Sequence, residues 1–360
     1  MALVGTINAP NDFGFKNRII NGAMVIDQRN AGVSIAVAGY PVDRTSIELS
    51  GTGGLTSQRS TDAPAGFTNS LLTTVTTIDS SIGAAEYYQI VHHIEGFNVA
   101  DLNLGTANAS AFMVSFWVKA SQTGTYSVHL ANSTGNRCYP TTITVNASAT
   151  WEYKTISVPA TTAGTFNTTN GQGLSIRIGI VYGSNFNGAT TNAWANFTGF
   201  ANSFATTTNN MMATLNATLQ ITGLQLEKGS TATSFDYRSY GTELALCQRY
   251  FETNQGPGWQ VGTSTGSLTG EYYNNNAAGM NTYFSIPIKF AVYKRASPSV
   301  TLYSPNTGTI NKIQTNYSTN LDANSVVSTA FPGGFSGGMG ASPGGAPSLI
   351  AFNWTAATEL

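Results

Sequence analysis

Charge is what this sequence has least of. Asp, Glu, Lys and Arg together make up 9% of the chain and the formal net charge is -1, where an ordinary soluble domain carries about 25% charged residues. So neutral a surface cannot concentrate phosphate backbones or anionic lipid, so neither nucleic-acid binding nor attachment to a membrane surface is expected. Cysteine and histidine are as scarce, with two and three residues. Cys138 and Cys247 lie far apart, each in an apolar run, and are expected to be buried free thiols. No apolar run approaches the roughly 18 residues of a membrane span, and the opening MALVGTINAPNDFGFKNR lacks a basic start followed by an apolar stretch. Neither membrane insertion nor signal-directed secretion is expected. Internal repeats and heptads are missing too, which excludes a coiled-coil or repeat shaft.

Disorder is excluded by what is present, since 41% of the residues are hydrophobic and 11% aromatic. Much of the remainder is Thr, Asn, Ser and Gly, a surface rich in hydroxyls and amides that suits neutral polyhydroxylated ligands. The most informative stretch runs from Phe112 to Pro159. Phe112, Val114, Phe116 and Val118 alternate with Met113, Ser115, Trp117 and Lys119, and Tyr126, Val128 and Leu130 alternate with Ser127 and His129. Period-two patterning with β-branched and aromatic residues means half-buried strands. With Gly124 and Ser133-Thr134-Gly135-Asn136 between runs, the segment reads as an antiparallel meander.

Further strands are expected at Arg44 to Leu49, Leu71 to Val75, Ala85 to Ile94, Leu174 to Val181 and Leu219 to Leu226, the last with a kink at Gly223. Asn21-Gly22 favours a type I′ hairpin, with an early strand within Asn17 to Arg29. Tyr182 to Asn210 is a loop long enough to be functional or packed on a partner. Thr242 and Glu243, followed by Leu244, Cys247, Tyr250 and Phe251, predict a short helix over Glu243 to Phe251 as a hinge. Beyond it, Tyr272 to Val292, Ser299 to Tyr303 and Ser348 to Trp354 read as strands, with Pro287 on an edge. The tract FPGGFSGGMGASPGGAP reads as an extended loop.

The runs SFWVKASQTGTYSVHLAN, ATWEYKTISVP and LQLEKGSTATSFDYRSYGTELALCQRYF resemble the β-jelly-roll modules of phage tail-fibre and appendage proteins, themselves distantly similar to carbohydrate-binding modules. The resemblance covers about residues 15 to 255. It implies a jelly-roll β-sandwich and a place on the virion, with a host-surface glycan as partner. The expected organisation is an N-terminal segment, 1–16, attaching to other virion proteins; a jelly roll, 17–240; a linking helix, 241–254; and a smaller β-sandwich, 255–360. A weakly charged chain with no shaft protects its strand edges best in a symmetric oligomer, and a homotrimer with the helix near its axis is expected. The other roles considered are an architectural capsid-decoration or tail-adaptor protein and a polysaccharide-cleaving tailspike.

Motifs for catalysis are missing: no Gly-x-Ser-x-Gly, His-Glu-x-x-His, Walker loop or Cys-x-x-Cys occurs. His92 and His93 are neighbours on a strand and point to opposite faces. His129 falls on the polar side of its strand. Glycosidic cleavage needs two carboxylates about 5 to 10 Å apart, and Glu86, Glu95 and Asp101 are the only local cluster of acids. Glu95 and Asp101 flank a turn and are instead candidates for a structural Ca²⁺. No enzyme is expected. Glycan recognition calls for planar aromatics off the core face with amide neighbours. Trp259, Tyr272, Tyr273, Asn274 and Asn275 in the second domain are the first candidates, and Trp117 and Trp194 in the first domain the next. Each tryptophan also has a packing role open to it.

Overall fold

The computed structural model describes residues 16–36, 38–266, 270–274, 284–315, 321–339 and 349–360. These form an all-β chain with antiparallel strand pairing. Twelve strands build the first unit: β1 (Gly39–Val42), β2 (Thr45–Ser50), β3 (Gly54–Ser60), β4 (Ser70–Thr77), β5 (Tyr87–Glu95), β6 (Phe112–Ala120), β7 (Gly124–Ala131), β8 (Arg137–Val145), β9 (Glu152–Val158), β10 (Gln172–Tyr182), β11 (Ala195–Asn196) and β12 (Thr218–Lys228). They make a seven-stranded sheet, β1-β2-β5-β10-β7-β8-β11, and a five-stranded sheet, β3-β4-β12-β6-β9. The inward residues of both sheets, among them Phe112, Phe116, Tyr126, Leu130, Ile178 and Leu226, form one core. This is a jelly-roll sandwich, and the alternation in the sequence is what fills it.

The expected meander does not form. β6 pairs with β12 and β9, whereas β7 pairs with β10 and β8, so residues 121–123 carry the chain from one sheet to the other. Alternation fixes which face of a strand is buried, and two strands facing one core from opposite sides show the same alternation as two neighbours. The early strand is likewise absent. Residues 20–23 do turn, with Asn21 at φ 61°, but the segment runs beside β12 through isolated bonds such as Arg18 N to Leu226 O. Its turn is pinned by the buried Asn21 side chain, which donates to the carbonyls of Ile26 and Asp43 and accepts from Ile26 N. The kink at Gly223 is present, as a register shift in β12 with φ 64°.

The one α-helix among the described residues, α1 (Tyr240–Gln248), begins three residues earlier than expected and leads into β13 (Phe251–Thr253). Its Cys247 packs with Ile20, Ile26 and Tyr250 against the first unit, so it is a packed wedge rather than a free hinge. The remaining strands are β14 (Glu271–Asn274), β15 (Phe284–Lys289), β16 (Ser299–Tyr303), β17 (Lys312–Thr315), β18 (Leu321–Phe331), β19 (Gly334–Met339) and β20 (Leu349–Ala357). With β13 they form one branched sheet, whose spine β20 pairs with β13, β14, β16 and β17. Among the described residues the second unit thus joins eight strands through one hydrogen-bonded network, wrapped around a core that includes Phe290, Phe335, Phe352 and Trp354. Pro287 is on β15, which among the described residues pairs with β19 alone, an edge as expected.

Of the nine described residues of the glycine tract, seven are strand, not loop. β18 turns at Pro332 and Gly333 into β19, which lies between β18 and β15. A Cβ on Gly334 would stand 2.3 Å from the Ile288 carbonyl oxygen, and one on Gly337 would stand 2.7 Å from the Phe335 ring. Here glycine permits close packing instead of breaking the strand. Residues 340–348 lie outside the described residues, as do residues 1–15 of the expected attachment segment.

Candidate functional site

The outer face of the five-stranded sheet carries an uncharged aromatic cleft. Register places Tyr153 of β9 directly across from Trp117 of β6, and Trp117 across from Thr222 of β12. The two rings lie 5.4 Å apart, tilted by 46°, and Tyr153 is 43% exposed. Next to Thr222 comes the β12 irregularity at Gly223. A Cβ there would sit 2.7 Å from Phe67 and 3.2 Å from Trp117, so only glycine lets both rings come down to the sheet.

Phe67, Phe235 and Tyr237 form the second wall. Their rings lie 4.7 to 5.5 Å from one another, with Phe235 edge-on to both of the others. The segment carrying Phe235 and Tyr237 is held by its neighbours. Thr233 N donates to Glu227 Oε1 at 2.8 Å, Asp236 N donates to Gln225 Oε1 at 2.8 Å, and Asn17 N donates to the Asp236 carboxylate at 3.1 Å. Burial raises the Tyr237 phenol, which stays a neutral donor to the Gly66 carbonyl. Between the walls is a space of about 440 Å³, completed by Ser115, Ala232, Thr233 and Ser234, and none of its lining residues is charged. Farther along the same face, Trp151 donates to Asp62, which is held below the usual carboxylate range chiefly by its hydrogen bond from Lys119.

Of the residues singled out in the sequence, Trp117 is in this cleft. Trp194 is not: its indole donates to the Pro159 carbonyl at 2.7 Å and packs between Tyr139 and Phe166, fixing the long loop to the sandwich. Trp259 is a core residue, 6% exposed, edge-on to Tyr303 at 5.8 Å and donating to the Thr263 carbonyl. The turn at Gly256 to Gly258 folds its indole inward, which corrects the expectation of a solvent-facing platform. Tyr272, Tyr273 and Asn274 belong to β14 and pair with β20. Asn275 lies outside the described residues.

The proposed cation ligands are taken by cations of the chain itself. Glu95, 2% exposed, accepts from Arg249 at 2.6 and 2.9 Å and from the Tyr250 hydroxyl. Asp101 pairs with Arg18 at 2.8 Å. Asp101 stays half exposed, its side chain at 51%, and no cluster of three metal-ligating side chains occurs among the described residues. His92 Nδ1 lies 3.2 Å from the Thr45 hydroxyl, and His93 Nε2 lies 3.5 Å from Glu48. His129, expected on a polar face, is fully buried under the long loop.

No protein-family model matches this chain, and no curated protein matches it. Partial similarity is found to solved structures. The enzymatically active domain of bacteriophage CBA120 tailspike protein 4 is 12% identical with a TM-score of 0.31, over 59% of this chain and 22% of that one, so the match spans about a fifth of the tailspike chain. A family 61 carbohydrate-binding module in complex with β-1,4-galactotriose is 7% identical with a TM-score of 0.27, over 59% and 99% of the two chains. A family 11 carbohydrate-binding module of a cellulosomal cellulase from Clostridium thermocellum is 9% identical with a TM-score of 0.28, over 56% and 98%. The sandwich is established by the chain's own strand pairing and core, not by these likenesses.

Sequence reasoning missed Phe67, Tyr153, Phe235 and Tyr237. The signal for Tyr153 was available: it alternates with the buried Ile156 and Val158 in the way that Trp117 alternates with Phe116 and Val118. Phe235 and Tyr237 stand two apart in a polar stretch with no strand pattern, and only the fold brings them to Phe67.

Proposed function

We propose that this protein binds a neutral glycan without cleaving it, in the cleft between Trp117–Tyr153 and Phe67–Phe235–Tyr237, as a component of a phage tail fibre or appendage. The observation that carries the reading is the pair of aromatic walls set around Gly223 with no charged residue lining the space between them. Aromatic faces stack on the apolar faces of pyranose rings, and the Ser115, Thr233 and Ser234 hydroxyls supply hydrogen-bonding partners for sugar hydroxyls. A volume near 440 Å³ falls in the range of small-molecule sites.

Binding rather than cleavage is favoured by the state of the nearest acids. Glu227 is 3% exposed and accepts from Thr233 and Gln225, and Asp236 accepts from backbone N–H groups. Both are committed to holding the cleft wall, whereas hydrolysis needs a pair of carboxylates open to the scissile bond. The virion setting, the homotrimer and attachment through the N-terminal segment rest on the sequence resemblance and on the need to cover strand edges. The test is binding of the intact protein to a printed array of neutral and anionic oligosaccharides, with Trp117→Ala and Tyr153→Ala alongside. The reading expects retention on neutral glycans, loss in both variants and no release of reducing ends. Binding to anionic glycans alone, or binding that both variants retain, would overturn it.

A further inference from the structure

The loop between β10 and β11, continuing to residue 210, covers the outer face of the seven-stranded sheet, and what it covers is unusual. His129 of β7 is 0% exposed, and neither of its ring nitrogens has a hydrogen-bond partner. Its ring is stacked on Phe204 of the loop at 4.0 Å, and Phe204 lies 4.1 Å from the Tyr182 ring on its other contact. Ser127, two residues earlier, also has an unpartnered buried hydroxyl. Buried polar atoms nearly always find a partner, so an orphan imidazole beneath a cover calls for an explanation.

We infer that residues 183–210 form an acid-released cover and that His129 is the group whose protonation releases it. The charges around the imidazole explain why. Across the ladder from His129 stands Arg177 of β10, 6% exposed, its guanidinium 4.3 Å from the ring centroid of Phe200 in the cover. The cover itself, residues 183–210, contains no Asp, Glu, Lys or Arg, so it offers no carboxylate to an imidazolium. On the other packed elements, Glu48 of β2 is engaged with His93 and Gln89 of β5, and Arg137 of β8 is bound to Thr161 and Asn196. Protonation would therefore add a second, unpaired cation beside Arg177 in a buried site.

Burial, and then Arg177, push the His129 imidazole well below its ordinary value. An exposed histidine titrates near 6.5. The closed state thus binds fewer protons than the open one. Closure is at full strength above about pH 6.5 and weakens about tenfold for each unit below it, until the depressed value is reached. His93 is lowered also, by burial first, but it sits against Glu48 and serves as the internal control.

The test is amide hydrogen exchange of the full chain between pH 7.5 and 5.0, corrected for the intrinsic rate, comparing peptides within 183–210 with those of β6. The expected result is loop protection that falls about tenfold per unit below pH 6.5 while β6 stays protected. His129→Phe should abolish that dependence and His93→Gln should leave it. A flat wild-type profile, loss of β6 in step with the loop, or an unchanged slope in His129→Phe would overturn the inference. If His129→Phe fails to fold, His129→Gln takes its place, and a flat wild-type profile is decisive by itself.

Discussion

Removing one carboxylate at the join between the two units should cost far more than its place near the chain end implies. Glu359 follows β20, and its side chain is 10% exposed. It pairs with Arg29 at 2.8 Å and with Arg44 of the first unit, whose side chain is 2% exposed. Both cations are locked in place by aromatic rings: Arg29 lies 3.6 Å from the Phe251 centroid and Arg44 3.5 Å from that of Tyr250. Burial alone would raise the Glu359 carboxyl, but Arg44 and Arg29 outweigh it and hold it low. Glu359→Gln leaves Arg44 buried with its charge uncompensated, and breaking such a pair costs about 3 to 5 kcal/mol. At about 2 to 4 °C per kcal/mol for a unit of this size, a melting temperature lower by roughly 6 to 20 °C is expected. The double variant Arg44→Met/Glu359→Leu removes both charges and should recover most of the loss. The same linkage predicts acid lability. With a folded pKa below the unfolded 4.3 or so, the contribution is complete above that value and disappears as pH falls through the folded one. Calorimetry of the three proteins from pH 7 to 3 is the assay. A Glu359→Gln shift of under 1 °C, or a double variant as damaged as the single one, would refute the reasoning.

Gly223→Ala should destabilise the first unit by about 1 to 3 kcal/mol, from left-handed backbone strain and displacement of Phe67. Denaturant titration gives the stability, and the same variant should lose glycan binding while it is still folded. Lys294→Met should cost about 3 to 5 kcal/mol by stranding Glu252, because the Lys294 side chain is 0% exposed and bonds to Glu252 and the Gln248 carbonyl; a thermal melt checks it. Light scattering should find a trimer at micromolar concentration, and a stable monomer would count against the proposed assembly.

The sandwich was legible because alternation reports burial directly. Leu174, Ile176, Ile178 and Ile180 face the core as their spacing required, and the Gly223 kink followed from one glycine inside a strand. Partner choice was not legible, since β6 and β7 carry the same period-two signal in opposite sheets. The glycines of β19 misled for a related reason: glycine in a sequence marks conformational freedom, but here it marks a gap too narrow for a Cβ. The site was half readable. Trp117 stood out of phase with its core neighbours, whereas Trp259 showed only a glycine-rich turn before it, and such a turn can aim an indole inward as readily as outward.

The claim that the Trp117–Tyr153 wall holds a sugar is tested most directly by isothermal titration of the wild type and of Trp117→Ala, using a neutral oligosaccharide retained on the array. Losing one stacking face, worth on the order of 1 to 3 kcal/mol for a buried side chain, should weaken affinity about 5- to 150-fold with the melting temperature nearly unchanged. Equal affinities in the two proteins would contradict the account.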